Sequence, residues 1–168
     1  MLVKIKLIPV LILVALLFGC AKAADTPEKL YTWNIQIEQA EIKTELMTIE
    51  IITLYNGEKS EVIHENVPSQ GNVYLILNLS VEKIGSDTGS FESMNMAVME
   101  AKGNSYQRLE NDSFIEQHDF LPRMTGLPIR FGEGEGWVCF ELPQTAVDGK
   151  LYLVYTSNEG QQKYEIKK

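Results

Sequence analysis

The chain has little of what most catalytic and metal sites are made from. Its 168 residues include two cysteines and two histidines. Basic residues are also scarce, since 15 Lys and Arg stand against 23 Asp and Glu and the formal net charge is −8. An acidic surface repels phosphate groups, so we expect no nucleic-acid partner.

Residues 31–168 contain no long apolar run at helical spacing. Their apolar residues recur at every second position, which is typical of strands with one buried face. Turn signals rich in glycine, asparagine and aspartate follow one another at short intervals, and the strands show no internal repeat. We therefore predict an all-β domain with the architecture of an antiparallel β-sandwich.

The one continuous apolar run stands near the N-terminus. Lys4 and Lys6 precede apolar residues 7–18, a run interrupted only by a proline. About a dozen residues are too few to cross a bilayer, which takes roughly 20 in a helix. The pattern predicts a signal peptide over residues 1–19.

The apolar run closes with Leu17-Phe18-Gly19-Cys20, which resembles the lipobox of bacterial lipoproteins. That resemblance implies cleavage between Gly19 and Cys20 and transfer of a diacylglycerol to the Cys20 thiol. Acyl chains there would anchor the chain in the cell membrane at its extracytoplasmic face. Two alternatives remain: an ordinary signal peptide cut after Ala23 or Ala24, and a true transmembrane anchor.

Cleavage before Cys20 leaves 149 residues, enough for one domain with its own core. Loss of Lys4 and Lys6 makes the formal charge −10. Residues 20–29 are small, polar and charged, and they predict a short tether ahead of one domain over residues 30–168. With Cys20 lipidated, Cys139 is the only remaining thiol, so no intrachain disulfide is expected.

Several strands can be placed from the pattern alone. The first alternates from Tyr31 to Ile37. Asn56-Gly57 between residues 46–55 and 60–64 predicts a β-hairpin, because both turn residues tolerate positive φ. Residues 73–83 predict a central strand that is half covered on its second face.

The second half of the domain is less regular. Residues 111–130 form the longest irregular region, with room for one helical turn before Pro122. A glycine-rich approach then leads into a strand over residues 137–142, whose inward positions should be Val138, Phe140 and Leu142. The opposite face should carry Trp137, Cys139 and Glu141.

These segments resemble an immunoglobulin-like domain of secreted bacterial proteins, domain of unknown function 4352. In that family a glycine opens a central strand, a glycine and a tyrosine close a hairpin, and a glycine-glutamate turn leads into a strand that ends in proline. The resemblance implies an immunoglobulin-like β-sandwich in a lipoprotein of a Gram-positive bacterium, and it brings no activity or cofactor. It is carried by residues 71–81, Phe91-Glu92, residues 102–106 and residues 134–143.

Catalytic and metal chemistry find little support. Neither His64 nor His118 lies in a metal-ligand motif, and nothing in the spacing brings either to Cys139. Glycines 132, 134 and 136 alternate with two glutamates, which would repel a bound phosphate, so they predict a turn. We expect no catalytic residues, no metal, no cofactor and no enzymatic activity.

An acidic cluster lies near the irregular region. Carboxylates are calcium ligands, but their spacing matches no EF-hand loop, so we favour a solvated cluster over a cation site. The cluster consists of Glu110, Asp112, Glu116 and Asp119.

Exposed aromatic side chains are the candidate interaction patch. Trp137 on the outer face of its strand, with Tyr152 or Tyr155 on the neighbouring strand, would form an apolar surface suited to a partner. The alternative is that the 111–130 region covers Trp137, and we favour it.

Together these patterns predict a membrane-anchored extracytoplasmic lipoprotein. Its β-sandwich would serve as a non-catalytic binding or structural module for an envelope protein. The alternative is a carrier of the cell envelope that binds a small ligand or a cation.

Overall fold

A computed structural model describes residues 31–85 and 88–168. The predicted signal peptide, Cys20 and the tether lie outside the described residues. No helix in the described part is long and apolar enough to cross a membrane. The strands are β1 (Trp33–Lys43), β2 (Leu46–Thr53), β3 (Lys59–Asn66), β4 (Asn72–Lys83), β5 (Met96–Glu100), β6 (Ser105–Gln107), β7 (Glu133–Pro143), β8 (Leu151–Ser157) and β9 (Gly160–Glu165).

The strands form two sheets and a separate ribbon. The first sheet has the order β1-β4-β7 and the second has the order β6-β5-β8-β9. Within residues 31–85 and 88–168, β2 pairs only with β3. All pairings between these strands are antiparallel. Side chains from both sheets share one core, so the predicted all-β antiparallel sandwich is confirmed.

Alternation along β4 explains why this strand is central. Its odd-numbered side chains from Val73 to Val81 are buried against Met96 and other residues of the opposite sheet. Its hydrogen bonds go to β1 on one side and to β7 on the other. The predicted central strand is confirmed.

A second, smaller apolar cluster lies on the outer face of the same sheet. Tyr74 and Ile76 of β4 and Trp137 and Cys139 of β7 pack there against residues from the hairpin base and from a short 3-10 helix, Ser113–His118. Both faces of β4 and β7 are therefore covered over this part of the sheet. These are Leu46 of the hairpin base and Ile115 of the 3-10 helix, joined by Phe120, which follows that helix.

A bulge divides β1. The register shifts between Ile37 and Gln39, so Glu38 has no directly opposed residue on β4. An extra residue of this kind exchanges the two faces of a strand. Beyond it, Ala40 rather than an odd-numbered residue packs towards the core. The simple alternation predicted from Tyr31 to Ile37 therefore ends at the bulge.

The β-hairpin predicted at Asn56-Gly57 is confirmed, but its turn is longer than two residues. The Leu54 amide donates to the Glu58 carbonyl at 2.7 Å, and the Gly57 amide donates to the Leu54 carbonyl at 2.8 Å. Of the two turn residues, only Gly57 has a positive φ, at 85°. The Asn56 carboxamide oxygen instead accepts from the Glu58 amide at 3.1 Å, which closes the turn.

Strand β7 begins at Glu133, four residues before the predicted start. Gly134 and Gly136 belong to the strand, and other segments of the protein occupy the space that a side chain would need at either position. A Cβ on Gly134 would lie 2.4 Å from Ile129 Cδ1, and one on Gly136 would lie 2.6 Å from the Met124 amide nitrogen. The glycines thus allow residues 123–129 to lie against the strand.

Candidate interaction surfaces

Residues 108–124, here called the covering loop, lie along the edge and outer face of β7. Both ends of the loop are bound to that strand. The Leu109 amide donates to the Cys139 carbonyl, and the Met124 amide donates to the Trp137 carbonyl, each at 2.9 Å. The edge of β7 that does not face β4 is thereby capped, which prevents it from pairing with another chain.

A buried ion pair holds the covering loop in shape. Arg108 and Asp112 are 3% and 1% exposed, and the guanidinium meets the carboxylate at 2.8 Å. The guanidinium also donates to the Ser93 hydroxyl and to the Met124 carbonyl. Burial lowers the pKa of Arg108, and the adjacent Asp112 opposes that shift. Arg108 therefore ties the start of the loop to its end.

Arg123 extends this pair towards the surface. It donates to Asp112 at 3.0 Å and to Glu116 at 2.9 Å. Two of the four residues of the predicted acidic cluster are thus neutralised by arginines. Across the described residues, no group of three or more histidine, cysteine, aspartate or glutamate side chains is arranged to hold a metal ion.

His118 joins the covering loop to the hairpin. Its Nδ1 lies 2.8 Å from the Thr48 hydroxyl, and its Nε2 lies 3.0 Å from the Asn66 carboxamide oxygen. A neutral ring with the proton on Nε2 satisfies both contacts, because Nδ1 then accepts from the hydroxyl. Burial lowers the pKa of His118, His64 acts in the same direction, and Asp119 opposes them.

This lowered pKa predicts a loss of stability in mild acid. Below about pH 6.5 the unfolded chain binds a proton at His118 more readily than the folded chain does. The free energy of unfolding therefore falls as pH falls. The slope contributed by one proton is at most about 1.4 kcal/mol per pH unit. Urea unfolding between pH 7.5 and pH 5 measures it.

His118→Gln is expected to remove that part of the slope, because glutamine does not titrate. The comparison variant is His64→Gln, which changes the partly exposed histidine that contacts Glu50 at 3.1 Å; it should reduce the slope less, because it removes only the smaller contribution of His64 to the lowered pKa of His118. Equal slopes in wild type and His118→Gln would contradict the assignment.

The predicted aromatic patch is not formed. Trp137 is buried and contacts Phe120 of the covering loop, with ring centroids 4.9 Å apart. Tyr155 belongs to the other sheet, is 1% exposed and stacks on Phe91 in the core. Tyr152 is half-buried, and the Lys163 amine lies 4.0 Å from its ring centroid. The favoured alternative, a loop over Trp137, describes the arrangement.

Cys139 is fully buried between β4 and the covering loop. Burial raises the pKa of its thiol, and the Asp112 and Glu141 carboxylates add to the shift. A thiol in this state is a poor nucleophile at neutral pH. Its side chain packs as a small apolar group.

The grooves on the sandwich are open to solvent. One, of about 460 Å³, crosses the end of the β1-β4-β7 sheet and is lined in part by Glu82, Glu133 and Glu135. Another, of about 620 Å³, runs between β1 and β9. Neither resembles the enclosed apolar pockets that usually hold small ligands.

The β2–β3 ribbon carries the main exposed apolar surface. We use the term outward face for the side of the ribbon that bears Met47, Ile49 and Ile51 on β2 and Ile63 on β3. These four side chains are 55%, 56%, 63% and 60% exposed. Ile49 and Ile63 are directly opposite each other in the register. Contiguous apolar side chains of this kind mark interaction sites on soluble domains.

The two long edges of the ribbon differ in charge. Strand β3 carries Lys59, Glu61, His64 and Glu65, whereas Glu50 is the only charged residue of β2. Charged side chains are a common protection of sheet edges against pairing. Among the described strands only β3 pairs with β2, so the other edge of β2 has no strand partner there. It is the less protected edge of the ribbon.

The sequence indicates the hairpin but not its position. Met47, Ile49 and Ile51 alternate with polar residues, a pattern that ordinarily predicts a face turned towards the core. In the fold, only the base of the ribbon is packed, through Leu46 and His118. A signal was available in β2 and β3 taken together, because Glu61 and Glu65 of β3 share the outward face with Ile63.

Comparison with known proteins gives likenesses of fold. No protein-family model and no curated protein matches the chain, so the resemblance to domain of unknown function 4352 stays a prediction. A crystal structure of a conserved hypothetical protein from Bacillus anthracis matches with a TM-score of 0.52 and 12% identity, over 83% of this chain and 90% of that one. At this identity the likeness supports the fold alone.

Two further solved structures are similar over much of the chain. A predicted lipoprotein of Bacillus subtilis matches with a TM-score of 0.45 and 18% identity, over 82% of this chain and 39% of its own. An uncharacterized β-sandwich protein from Clostridium difficile matches with a TM-score of 0.40 and 13% identity, over 83% of this chain and 88% of its own. The described residues form an antiparallel β-sandwich with a projecting ribbon.

Proposed function

We propose that this chain is a lipoprotein, anchored through Cys20 at the extracytoplasmic face of the membrane, and that its β-sandwich is a binding module rather than an enzyme. The observation that carries the binding role is the exposed outward face of the ribbon. The apolar run that ends in Gly19-Cys20 supports the anchor. In this proposal the lipid supplies location and the ribbon supplies recognition.

The chemistry of the packed residues agrees with a binding role. Arg108, Asp112 and His118 satisfy one another or their structural neighbours within the covering loop and the hairpin base. The Cys139 thiol is buried. The polar groups of the covering loop therefore stabilise the fold and hold the ribbon in place, while the ribbon's outward face stays open to a partner.

Metabolic labelling with an alkyne analogue of palmitate tests the anchor. The wild-type chain is expected to carry the label, and Cys20→Ala is expected to lose it, because the thiol is the acceptor of the diacylglycerol. Cys139→Ala is the matched control and should label as wild type. Label that persists in Cys20→Ala would contradict a lipid anchor at Cys20.

Capture from envelope extracts tests the binding role. A chain beginning at Ala24 is immobilised, and the proteins it retains are identified by mass spectrometry. The double variant Ile49→Lys, Ile63→Lys should lose them, because it places two charges on the outward face. Equal retention by wild type and variant would contradict recognition through the ribbon.

A further inference from the structure

The ribbon is short of the strands that a stable sheet requires. An isolated pair of antiparallel strands is at best marginally stable in water, and three or more strands with an apolar face hold far better. Beyond its base, β2–β3 contacts neither of the two large sheets through a strand pairing. One further strand along the open edge of β2 would complete it.

The charge pattern of β2 indicates which additional strand would pair with its open edge. We propose that β2 pairs antiparallel with β2 of a second copy of this chain, around a two-fold axis at Ile49, so that two ribbons make one four-stranded sheet. This inference rests on the proposed role of the ribbon in recognition. It names the same chain as the partner along the edge of β2, and the outward faces of the two copies then stay exposed beside each other.

The register follows from the side chains. With the axis at Ile49, Met47 lies opposite Ile51 of the other copy, so the outward face is apolar along the whole junction. On the reverse face, Thr48 lies opposite Glu50 of the other copy. No two like charges are directly opposed, and directly opposed like charges destabilise a sheet.

Neighbouring registers are worse. A two-fold axis keeps both outward faces on the same side of the four-stranded sheet. The nearest alternative registers are therefore those that place the axis at the next residue of β2 in either direction. An axis at Glu50 sets two carboxylates directly opposite each other. An axis at Thr48 keeps an apolar outward face but moves Glu50 opposite Leu46 of the other copy and shortens the paired length of β2, Leu46–Thr53.

Pairing through β3 would be less favourable than pairing through β2. Its four charged or titratable residues would have to lose water along the junction. In the β2 pairing these residues stay on the two outer strands of the four-stranded sheet, where they protect both new edges. The assembly is therefore closed at two copies, as expected of a two-fold interface.

Disulfide trapping in membranes of cells that produce the full-length chain tests the proposal. Directly opposed residues of antiparallel strands have Cα atoms about 4.5–5.5 Å apart, which suits a disulfide. Because Ile49 lies on the axis, Ile49→Cys should cross-link to itself after mild oxidation and move most of the chain to the dimer position in non-reducing electrophoresis. The parent chain, which retains Cys20 and Cys139, shows the background.

Three single variants are matched controls, and each should stay at the parent background. Met47→Cys and Ile51→Cys lie on the outward face but two residues from the axis, and Ile63→Cys has similar exposure on the other strand. The double variant Met47→Cys, Ile51→Cys should cross-link again, because each cysteine then faces one of the other copy.

Other outcomes would overturn the proposal. If Ile49→Cys and the double variant both stay monomeric, the β2 pairing does not exist. If Ile63→Cys cross-links as readily as Ile49→Cys, the two copies contact each other through their outward faces or by random collision, and not through the edges of β2. Absence of cross-linking together with capture of a different protein, lost in the ribbon variant, would leave the proposed function standing and remove the second copy as its partner.

Discussion

Replacing Arg108 with methionine is expected to lower the free energy of unfolding by about 3 kcal/mol. Breaking a buried ion pair on one side costs about 3–5 kcal/mol, because the remaining charge stays out of water. Asp112, 1% exposed, would keep Arg123 at 3.0 Å, which places the effect at the lower end of that range. The Met124 carbonyl and the Ser93 hydroxyl would also lose a donor.

Equilibrium unfolding in urea of a chain beginning at Ala24 measures this change. Arg130→Met is the matched control, because Arg130 is exposed and surface substitutions usually stay within about 0.5 kcal/mol. The double variant Arg108→Met, Asp112→Leu should regain part of the loss, since it leaves no unpaired carboxylate in the interior. An Arg108→Met chain as stable as the control would show that the pair contributes nothing.

Replacing Gly136 with alanine is expected to cost about 3 kcal/mol, at the upper end of the usual range for overpacking. The new Cβ would lie 2.6 Å from the Met124 amide nitrogen and 3.0 Å from the Arg123 carbonyl carbon. These are backbone atoms, so no side-chain rotation relieves the clash. The covering loop must move away from β7, which breaks the hydrogen bond from Met124 to Trp137.

Gly149→Ala is the control for this substitution. The nearest atom to a Cβ there is the Ala146 carbonyl oxygen at 3.7 Å, an ordinary contact, and φ is −97°. Its unfolding free energy in urea should change little. If Gly136→Ala unfolds at the same urea concentration as Gly149→Ala, the close approach of the covering loop is not needed for stability.

The sequence predicted the elements whose signals are local. Alternation along residues 73–83 predicted β4 because a strand's side chains point to opposite faces in turn. Asn56-Gly57 predicted the hairpin because glycine reaches positive φ without strain. The inward positions Val138, Phe140 and Leu142 of β7 are buried as predicted. In each case the residues that decide the conformation are near neighbours in the chain.

The features that the sequence missed depend on distant residues. Arg108 is an ordinary arginine in an irregular segment until Asp112, Ser93 and Met124 surround it in the fold. The glycines at 134 and 136 resembled a turn because residues 123–129, which need their space, lie elsewhere in the sequence. Such contacts leave no periodic signal.

The ribbon also shows what a sequence pattern cannot predict. The apolar alternation of β2 is real, but alternation reports only that one face differs from the other. Whether that face meets the protein's own core or another molecule depends on the strands available to cover it. Here both sheets are occupied by other strands, and the outward face of β2 is left in contact with solvent.

The position of β4 also sets the order in which this domain can fold. Its first partner, β1, precedes it in the chain, but β7 begins at Glu133, about fifty residues after β4 ends. When a chain emerges N-terminus first, β4 therefore waits with one edge unpaired until β7 follows. Such long-range pairing slows folding and prolongs exposure of apolar segments. A chain cut short before Glu133 would keep that exposed strand and aggregate.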